Sequence, residues 1–220
     1  MKLVLASGSQ RRRELLTMCG YDYEIIVSNA DETIDENDPE SFVRALSFRK
    51  AKEVFDRLFA VGRRDFAVIG SDTVVAFQKE GGTKPVIIGK PKDAEDAVRI
   101  LSMLSGKTHR VFTGVSVIAD IPDENAAAQC SIREKAEIQT ECSITEVTFE
   151  TLSPDEITDY VNSGDPLDKA GSYGIQGPFG MFVREIRGNY FTVIGMPIPV
   201  LYKMLKKIGI LPHGFYERIE

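Results

Sequence analysis

Cysteine, histidine and long apolar runs are scarce in this chain of 220 residues, and each scarcity excludes a class of protein. The three cysteines, Cys19, Cys130 and Cys142, are too few for a disulfide framework and match no zinc spacing. The expectation is free thiols in a reducing, cytoplasmic compartment. Only two histidines are present, His109 and His213, and neither lies near a plausible nucleophile. That argues against a hydrolase built on a Ser-His or Cys-His pair. No apolar run approaches the roughly 18 residues of a membrane span. The opening run from Met1 to Ala6 has the length of a strand and is too short for a secretory signal. Positive charge is also in deficit. Lys and Arg number 27 against 33 Asp and Glu, for a net charge of -6, so no global field draws nucleic acid. The basic run lacks the interleaved aromatics of a single-strand binder. Any site for a polyanion must come from local clustering, and neither nucleic acid nor a membrane is expected as a partner.

What is present is ordinary globular composition, with 43% hydrophobic and 27% charged residues. No repeat or linker divides it, so one continuous domain over residues 1–220 is expected. Short β-type runs alternate with helix-period segments, the α/β signature. Lys2 to Ala6 and Tyr23 to Val27 read as strands, with a helix from Gln10 to Cys19 between them. Asp38-Pro39 opens a long helix to about Phe59, with Asp as N-cap and Pro at the first helical position. Phe66–Gly70 and Thr73–Phe77 read as strands on either side of Ser71-Asp72. Lys79–Lys84 reads as a hairpin tip, and Val86–Ile88 as the returning strand. A helix from Asp93 to Gly106 and a strand from His109 to Ala119 follow. Asp120–Ala128 is a polar loop. Ile132–Phe149 is β-leaning, with a change of parity that predicts a bulge near Thr145. Ser153-Pro154-Asp155-Glu156 is a capping box for a helix ending at Gly164. Met181–Ile186 and Tyr190–Ile194 read as a hairpin across Gly188-Asn189, and Ile198–Ile208 as a last helix.

Local rules break at five places, and such breaks concentrate at functional sites. Ser7-Gly8-Ser9-Gln10-Arg11-Arg12-Arg13 puts three arginines at a helix N-terminus, where the dipole already favours anions. A strand, a small turn and a helix start form a phosphate cradle, although the Walker spacing is absent. Lys50 falls on the apolar face formed by Val43, Leu46, Ala51, Val54 and Leu58, where it must either snorkel or meet an anion. Asp72 follows a buried run and needs a metal, a proton or a partner, unless it merely makes a turn. Lys90 stands between Gly89 and Pro91 at a strand end. Asp168 to Gly177 is rich in glycine, leaving backbone amides accessible to a ligand. Together these supply Arg and Lys for several phosphates, Glu32 and Asp72 for a divalent cation, and polar groups for a base. The set suits a nucleoside triphosphate with magnesium.

The same residues carry a family resemblance. Ala6-Ser7-Gly8-Ser9-Gln10-Arg11-Arg12-Arg13-Glu14-Leu15-Leu16 resembles the opening motif of the Maf nucleoside triphosphate pyrophosphatases, with Gln10 where that family usually has proline. Gly70-Ser71-Asp72-Thr73, Gly89-Lys90-Pro91, Thr113-Gly114-Val115 and Asp168-Lys169-Ala170-Gly171-Ser172-Tyr173-Gly174-Ile175-Gln176-Gly177 are similar to further blocks in the same order. The resemblance implies an α/β fold like that of inosine triphosphate pyrophosphatase, with an extended mixed sheet, surrounding helices and a cleft between two lobes. It also implies a homodimer and a divalent cation, Mg²⁺ with Mn²⁺ or Co²⁺ as alternatives. The implied reaction cleaves a triphosphate to the monophosphate and pyrophosphate, clearing unwanted nucleotides. The last block implies the dTTP/UTP branch, with specificity positions at Arg11, Thr73 and Gln176.

On this reading water attacks the α-phosphorus, and Asp72 serves as general base or as metal ligand with Glu32. Ser9, Arg11, Arg12, Lys50 and Lys90 hold the phosphates, and Thr73 and Gln176 face the base or sugar. The alternative from another class is a regulatory protein that binds a nucleotide without cleaving it.

Overall fold

The structure is a computed structural model and describes residues 1–78, 81–82, 84–121 and 136–214. Within the described residues, seven strands form one mixed sheet of order β2-β1-β3-β5-β6-β7, with β4 also paired to β3. The strands are β1 (Lys2–Leu5), β2 (Glu24–Ile25), β3 (Phe66–Phe77), β4 (Val86–Ile88), β5 (Thr108–Asp120), β6 (Ala136–Phe149) and β7 (Val183–Arg187). Six helices accompany them: α1 (Gln10–Met18), α2 (Pro39–Ala60), α3 (Ala94–Leu104), α4 (Pro154–Asn162), α5 (Tyr190–Ile194) and α6 (Ile198–Lys207). β1 runs parallel to β2 and β3, and the remaining pairings are antiparallel.

The helix boundaries follow local chemistry. Asp38 caps α2 by accepting from the Ser41 amide at 2.9 Å, with Pro39 at the first position. Asp93 caps α3 through the Asp96 amide at 2.8 Å. Ser153 and Glu156 form the expected capping box on α4. Gly164 and Gly195 adopt left-handed conformations just beyond α4 and at the end of α5.

β3 is the axis of the molecule. Alternation along it sends Ala67, Ile69, Val75 and Phe77 to one face and Phe66, Val68, Val74 and Ala76 to the other. At the Phe66 end these residues pack with α1 and α6 on one side and with α2 on the other. At the Phe77 end they pack with α3 and α4 on one side and with Val43 of α2 on the other. The apolar clusters therefore sit at the two ends of the long strands. Between them lies a polar waist of Ser71, Asp72 and Thr73 on β3 and Thr113 and Ser116 on β5.

One edge of β3 pairs continuously with β5, from Phe66 to Ala76. The other edge pairs with β1 at Phe66–Ile69 and with β4 at Val75–Phe77. Among the described residues Gly70 to Val74 has no strand partner on that side, and the cleft opens in this gap.

Three expectations are corrected. β3 runs unbroken through Ser71-Asp72, so Asp72 occupies the middle of a strand and makes no turn. β6 pairs with β5 in continuous register from Ala136 to Thr148, and its irregularity falls between Thr148 and Phe149 against β7, leaving Thr145 in register. The change of parity reflects two faces of one strand: Ile138 and Ile144 are exposed, whereas Val147 and Phe149 are buried on the opposite parity. The segment Tyr190–Ile194 is a helix capped by Asn189, and β7 pairs with β6 in place of the expected hairpin. Residue 130, most of the Asp120–Lys135 segment and part of the 79–84 tip lie outside the described residues. Cys19 and Cys142 are free thiols, and among the described residues no helix is long and apolar enough to cross a membrane.

Candidate active site

A cleft of about 1180 Å³ occupies the waist and is lined by every candidate residue: Ser9, Arg11, Arg12, Glu32, Lys50, Asp72, Thr73, Lys90 and Gln176. They come from the turn after β1, the start of α1, the segment before α2, α2 itself, β3, the end of β4 and the glycine-rich segment.

Lys50 reaches the cleft because α2 lies unusually close to the sheet. A Cβ on Gly70 would stand 2.1 Å from the Ser47 carbonyl oxygen, and one on Gly114 would stand 2.1 Å from the Val43 carbonyl oxygen. Buried Ser47 reinforces the contact through its hydroxyl, 2.9 Å from that of Ser116. The Lys50 ammonium then lies 2.7 Å from Asp72 Oδ1 and 2.9 Å from Glu32 Oε1. Only 12% of the Lys50 side chain and 13% of the Asp72 side chain are exposed, whereas Glu32 is 65% exposed. Lys50 meets anions in preference to snorkelling, and its two partners are the carboxylates expected to take a metal. Both carboxylates converge on one point. Among the described residues no group of three or more His, Cys, Asp or Glu is placed to hold a metal ion. Two carboxylates beside a phosphate cradle nevertheless fit Mg²⁺, which keeps several waters and completes its shell with substrate phosphates.

The cradle is built around Arg12. Its guanidinium donates to the Gly195 carbonyl at 2.9 Å, to Ser7 Oγ at 3.1 Å and to Thr73 Oγ1 at 3.4 Å. Ser71 donates to the same Gly195 carbonyl at 3.0 Å, tying α1, β3 and α5 together. Burial pushes the Arg12 guanidinium below its ordinary value, and the Asp72 charge partly offsets this. Among the described residues no carboxylate touches this inward-facing arginine, which makes it a place for an anion. Ser7 also accepts from the Ser9 amide at 3.2 Å, so both its lone pairs are engaged and its proton is free to donate. Ser9 lines the cleft but makes no side-chain cap to α1. Ser7 is therefore a functional candidate that the sequence placed in the turn without distinguishing it. Gln10 opens α1 without proline, its amide donating to Glu14 at 2.9 Å. Of the other two arginines, Arg13 turns back to the Gly8 carbonyl at 2.7 Å and leaves the site. Arg11 spans the mouth to Asp168 at 3.4 Å.

The glycine-rich segment requires a correction. The amides of its three glycines are taken within the protein: Gly171 donates to the Gly89 carbonyl, Gly174 to the Tyr160 hydroxyl and Gly177 to the Gly174 carbonyl, all at 3.0–3.1 Å. The glycines serve close packing. A Cβ on Gly171, where φ is +73°, would stand 2.6 Å from Val75, and one on Gly174 would stand 2.7 Å from Lys169. Lys169 also lines the cleft and was not among the expected residues. It is held by Asp165 at 3.0 Å and by Asp168 at 2.7 Å. Burial works to raise the Asp168 carboxyl, but the Lys169 hydrogen bond and the Arg11 charge outweigh it and hold it below the usual range. Lys90 and Gln176 are exposed at the rim.

Comparison with known proteins agrees with this geometry. The model of the Maf-like protein family matches residues 2–208. A protein of Agathobacter rectalis named dTTP/UTP pyrophosphatase is 41% identical over 217 residues, covering 95% of this chain and 98% of its own. Proteins of the same name from Bacillus thuringiensis subsp. konkukian and Lachnoclostridium phytofermentans are 42% and 40% identical, each covering 95% of this chain and 96% of its own. The solved Ham1 protein of Staphylococcus aureus aligns over 94% of this chain and all of its own at 14% identity, with a TM-score of 0.45, a likeness too slight to argue from. With a family match running from residue 2 to residue 208, across the whole sheet and the cleft, the chain belongs to the Maf family.

Proposed function

We propose that this chain hydrolyses dTTP and UTP to the monophosphate and pyrophosphate, removing pyrimidine nucleotides from the pool. The observation that supports it most is the junction of two arrangements in one cleft. Arg12 forms an anion cradle with no carboxylate partner among the described residues, and Lys50 holds two carboxylates together beside it. The name shared by relatives at about 41% identity points to the same reaction and bases.

The attacking water loses its proton to the Asp72 carboxylate as its oxygen bonds to the α-phosphorus. The bond from that phosphorus to the bridging oxygen breaks, and pyrophosphate leaves. Arg12, Arg11, Lys50 and Lys90 neutralise the charge that grows on the leaving group. Ser7 donates to a phosphate oxygen, and Ser9 completes the turn around it. Glu32 and Asp72 would hold Mg²⁺ or a related ion, which when bound offsets phosphate charge. Thr73 and Gln176 face the base. A cytoplasmic location agrees with the free thiols of Cys19 and Cys142.

The test is a panel of nucleoside triphosphates with Mg²⁺, scored as phosphate release with and without added inorganic pyrophosphatase. Signal that requires the added enzyme, is strongest for UTP and dTTP and is lost in Asp72→Asn supports the proposal. Nucleotide binding without turnover on any triphosphate overturns it in favour of a non-catalytic sensor.

A further inference from the structure

Thr113 is wholly buried in the waist, on β5, and the reaction above assigns it nothing. Its hydroxyl donates to the Thr192 carbonyl at 2.7 Å and lies 3.0 Å from the Thr73 hydroxyl. A hydroxyl has one proton and two lone pairs, and a carbonyl oxygen only accepts. The single proton of Thr113 is therefore committed to Thr192. Toward Thr73 it can only accept, so Thr73 gives its own proton to Thr113. Thr73 is left with lone pairs alone. One receives the Arg12 guanidinium at 3.4 Å, and the other is available to the cleft that Thr73 lines.

This polarity restricts what Thr73 can touch. Phosphate oxygens and the pyrimidine carbonyls are acceptors and would repel it. The N3–H of uracil and thymine is a donor, whereas N3 of cytosine carries a lone pair. We propose that Thr113 is a specificity-positioning residue: it locks Thr73 as an acceptor, and Thr73 so locked takes the N3–H of uracil or thymine. This rests on the proposed pyrophosphatase reaction and deepens it.

The experiment compares the full chain with Thr113→Val and Thr113→Ser on UTP, N3-methyl-UTP and 3′-deoxy-UTP, with kcat and KM measured separately. Valine removes the hydroxyl at similar volume and frees the Thr73 proton to turn into the cleft. Serine keeps the relay. The expected result is about a tenfold loss of kcat/KM on UTP for Thr113→Val, the size of one hydrogen bond, most of it in KM. The same variant should lose the same factor on 3′-deoxy-UTP and less than about twofold on N3-methyl-UTP, which offers no donor. Thr113→Ser should match the wild type on all three. Thr113→Ala on the same panel repeats the test with a smaller side chain. Each comparison is made between substrates within one variant, so a general loss of stability does not mimic it.

Equal losses on UTP and N3-methyl-UTP would overturn the proposal by showing a purely structural role. A loss that persists on N3-methyl-UTP and vanishes on 3′-deoxy-UTP would overturn it in favour of a sugar hydroxyl. Failure of the wild type on every triphosphate would remove the proposed function itself and this inference with it.

Discussion

The backbone at Gly70 touches the backbone at Ser47 so closely that a Cβ on the glycine would stand 2.1 Å from the Ser47 carbonyl oxygen. No rotamer relieves a clash between a Cβ and a main-chain carbonyl, so α2 would have to lift off β3. The same lift would carry Lys50 away from Asp72. Gly70→Ala is expected to lose about 3 kcal/mol of stability in urea unfolding, together with most turnover. Gly89→Ala is the control. Its Cβ meets nothing within 4 Å and its φ is not positive, so its stability should stay within about 0.5 kcal/mol of wild type.

His109 makes stability depend on pH. It is buried between Phe149 and Tyr173, with ring centroids at 4.6 and 5.4 Å, and its Nε2 lies 3.0 Å from the Tyr173 hydroxyl. Burial pushes its pKa down to about 3. Unfolded, the ring titrates near its ordinary 6.5. Between these values the unfolded chain binds a proton that the folded chain does not, so this group's contribution is complete above 6.5 and is lost as pH falls toward 3. The slope across that window is about 1.4 kcal/mol per pH unit. In His109→Gln the difference from wild type should therefore shrink steadily as pH falls from 6.5 to 4. A difference that stays constant with pH would exclude this assignment.

Much of the site was legible in the sequence because its residues contradict their surroundings. Lys50 interrupts an apolar helix face, Asp72 interrupts an apolar strand, and three arginines open α1. What was hidden is that Lys50 and Asp72 answer each other, since their meeting depends on how close α2 packs. That closeness is set by Gly70 and Gly114 against main-chain oxygens of α2, a contact no local pattern encodes. Tyr190–Ile194 misled for a different reason. Tyr-Phe-Thr-Val-Ile is strand-like by propensity, but the Asn189 cap, the left-handed Gly195 and the bond from Thr113 to the Thr192 carbonyl hold it as a short helix. The glycine-rich segment resembles exposed backbone in sequence because glycine alone does not say whether a ligand or a neighbouring side chain fills the space it leaves.

Tyr160 is the support of that segment. Its hydroxyl donates to Asp165 at 2.5 Å and accepts from the Gly174 amide at 3.0 Å. Burial, followed by the Asp165 hydrogen bond, pushes its pKa up. Tyr160→Phe keeps the ring against Phe179 but leaves a buried amide without an acceptor. The expected cost is about 2 kcal/mol in unfolding. Gln176 lies two residues beyond that amide, so KM for UTP should rise more than kcat falls. A change in kcat alone would show that the segment does not position the base.

Lys50 and a metal ion would compete for the same two carboxylates, and this gives two substitutions opposite signs. Glu32→Gln removes one anionic ligand and leaves Lys50 on Asp72, so Mn²⁺ binding, followed by its paramagnetic signal without nucleotide, should weaken about tenfold. Lys50→Met removes the competing ammonium from a site only 12% exposed and leaves Glu32 and Asp72 without their shared cation. The repulsion between them is then relieved by any cation that enters, so Mn²⁺ should bind more tightly than in wild type. On the proposed mechanism turnover should fall in both variants, because Lys50 would neutralise the leaving pyrophosphate and Glu32 would hold the metal ion. Activity therefore cannot separate the two effects, and the metal titration can. Weaker Mn²⁺ binding in Lys50→Met would mean that the ammonium holds the carboxylates in place for the ion and does not compete with it.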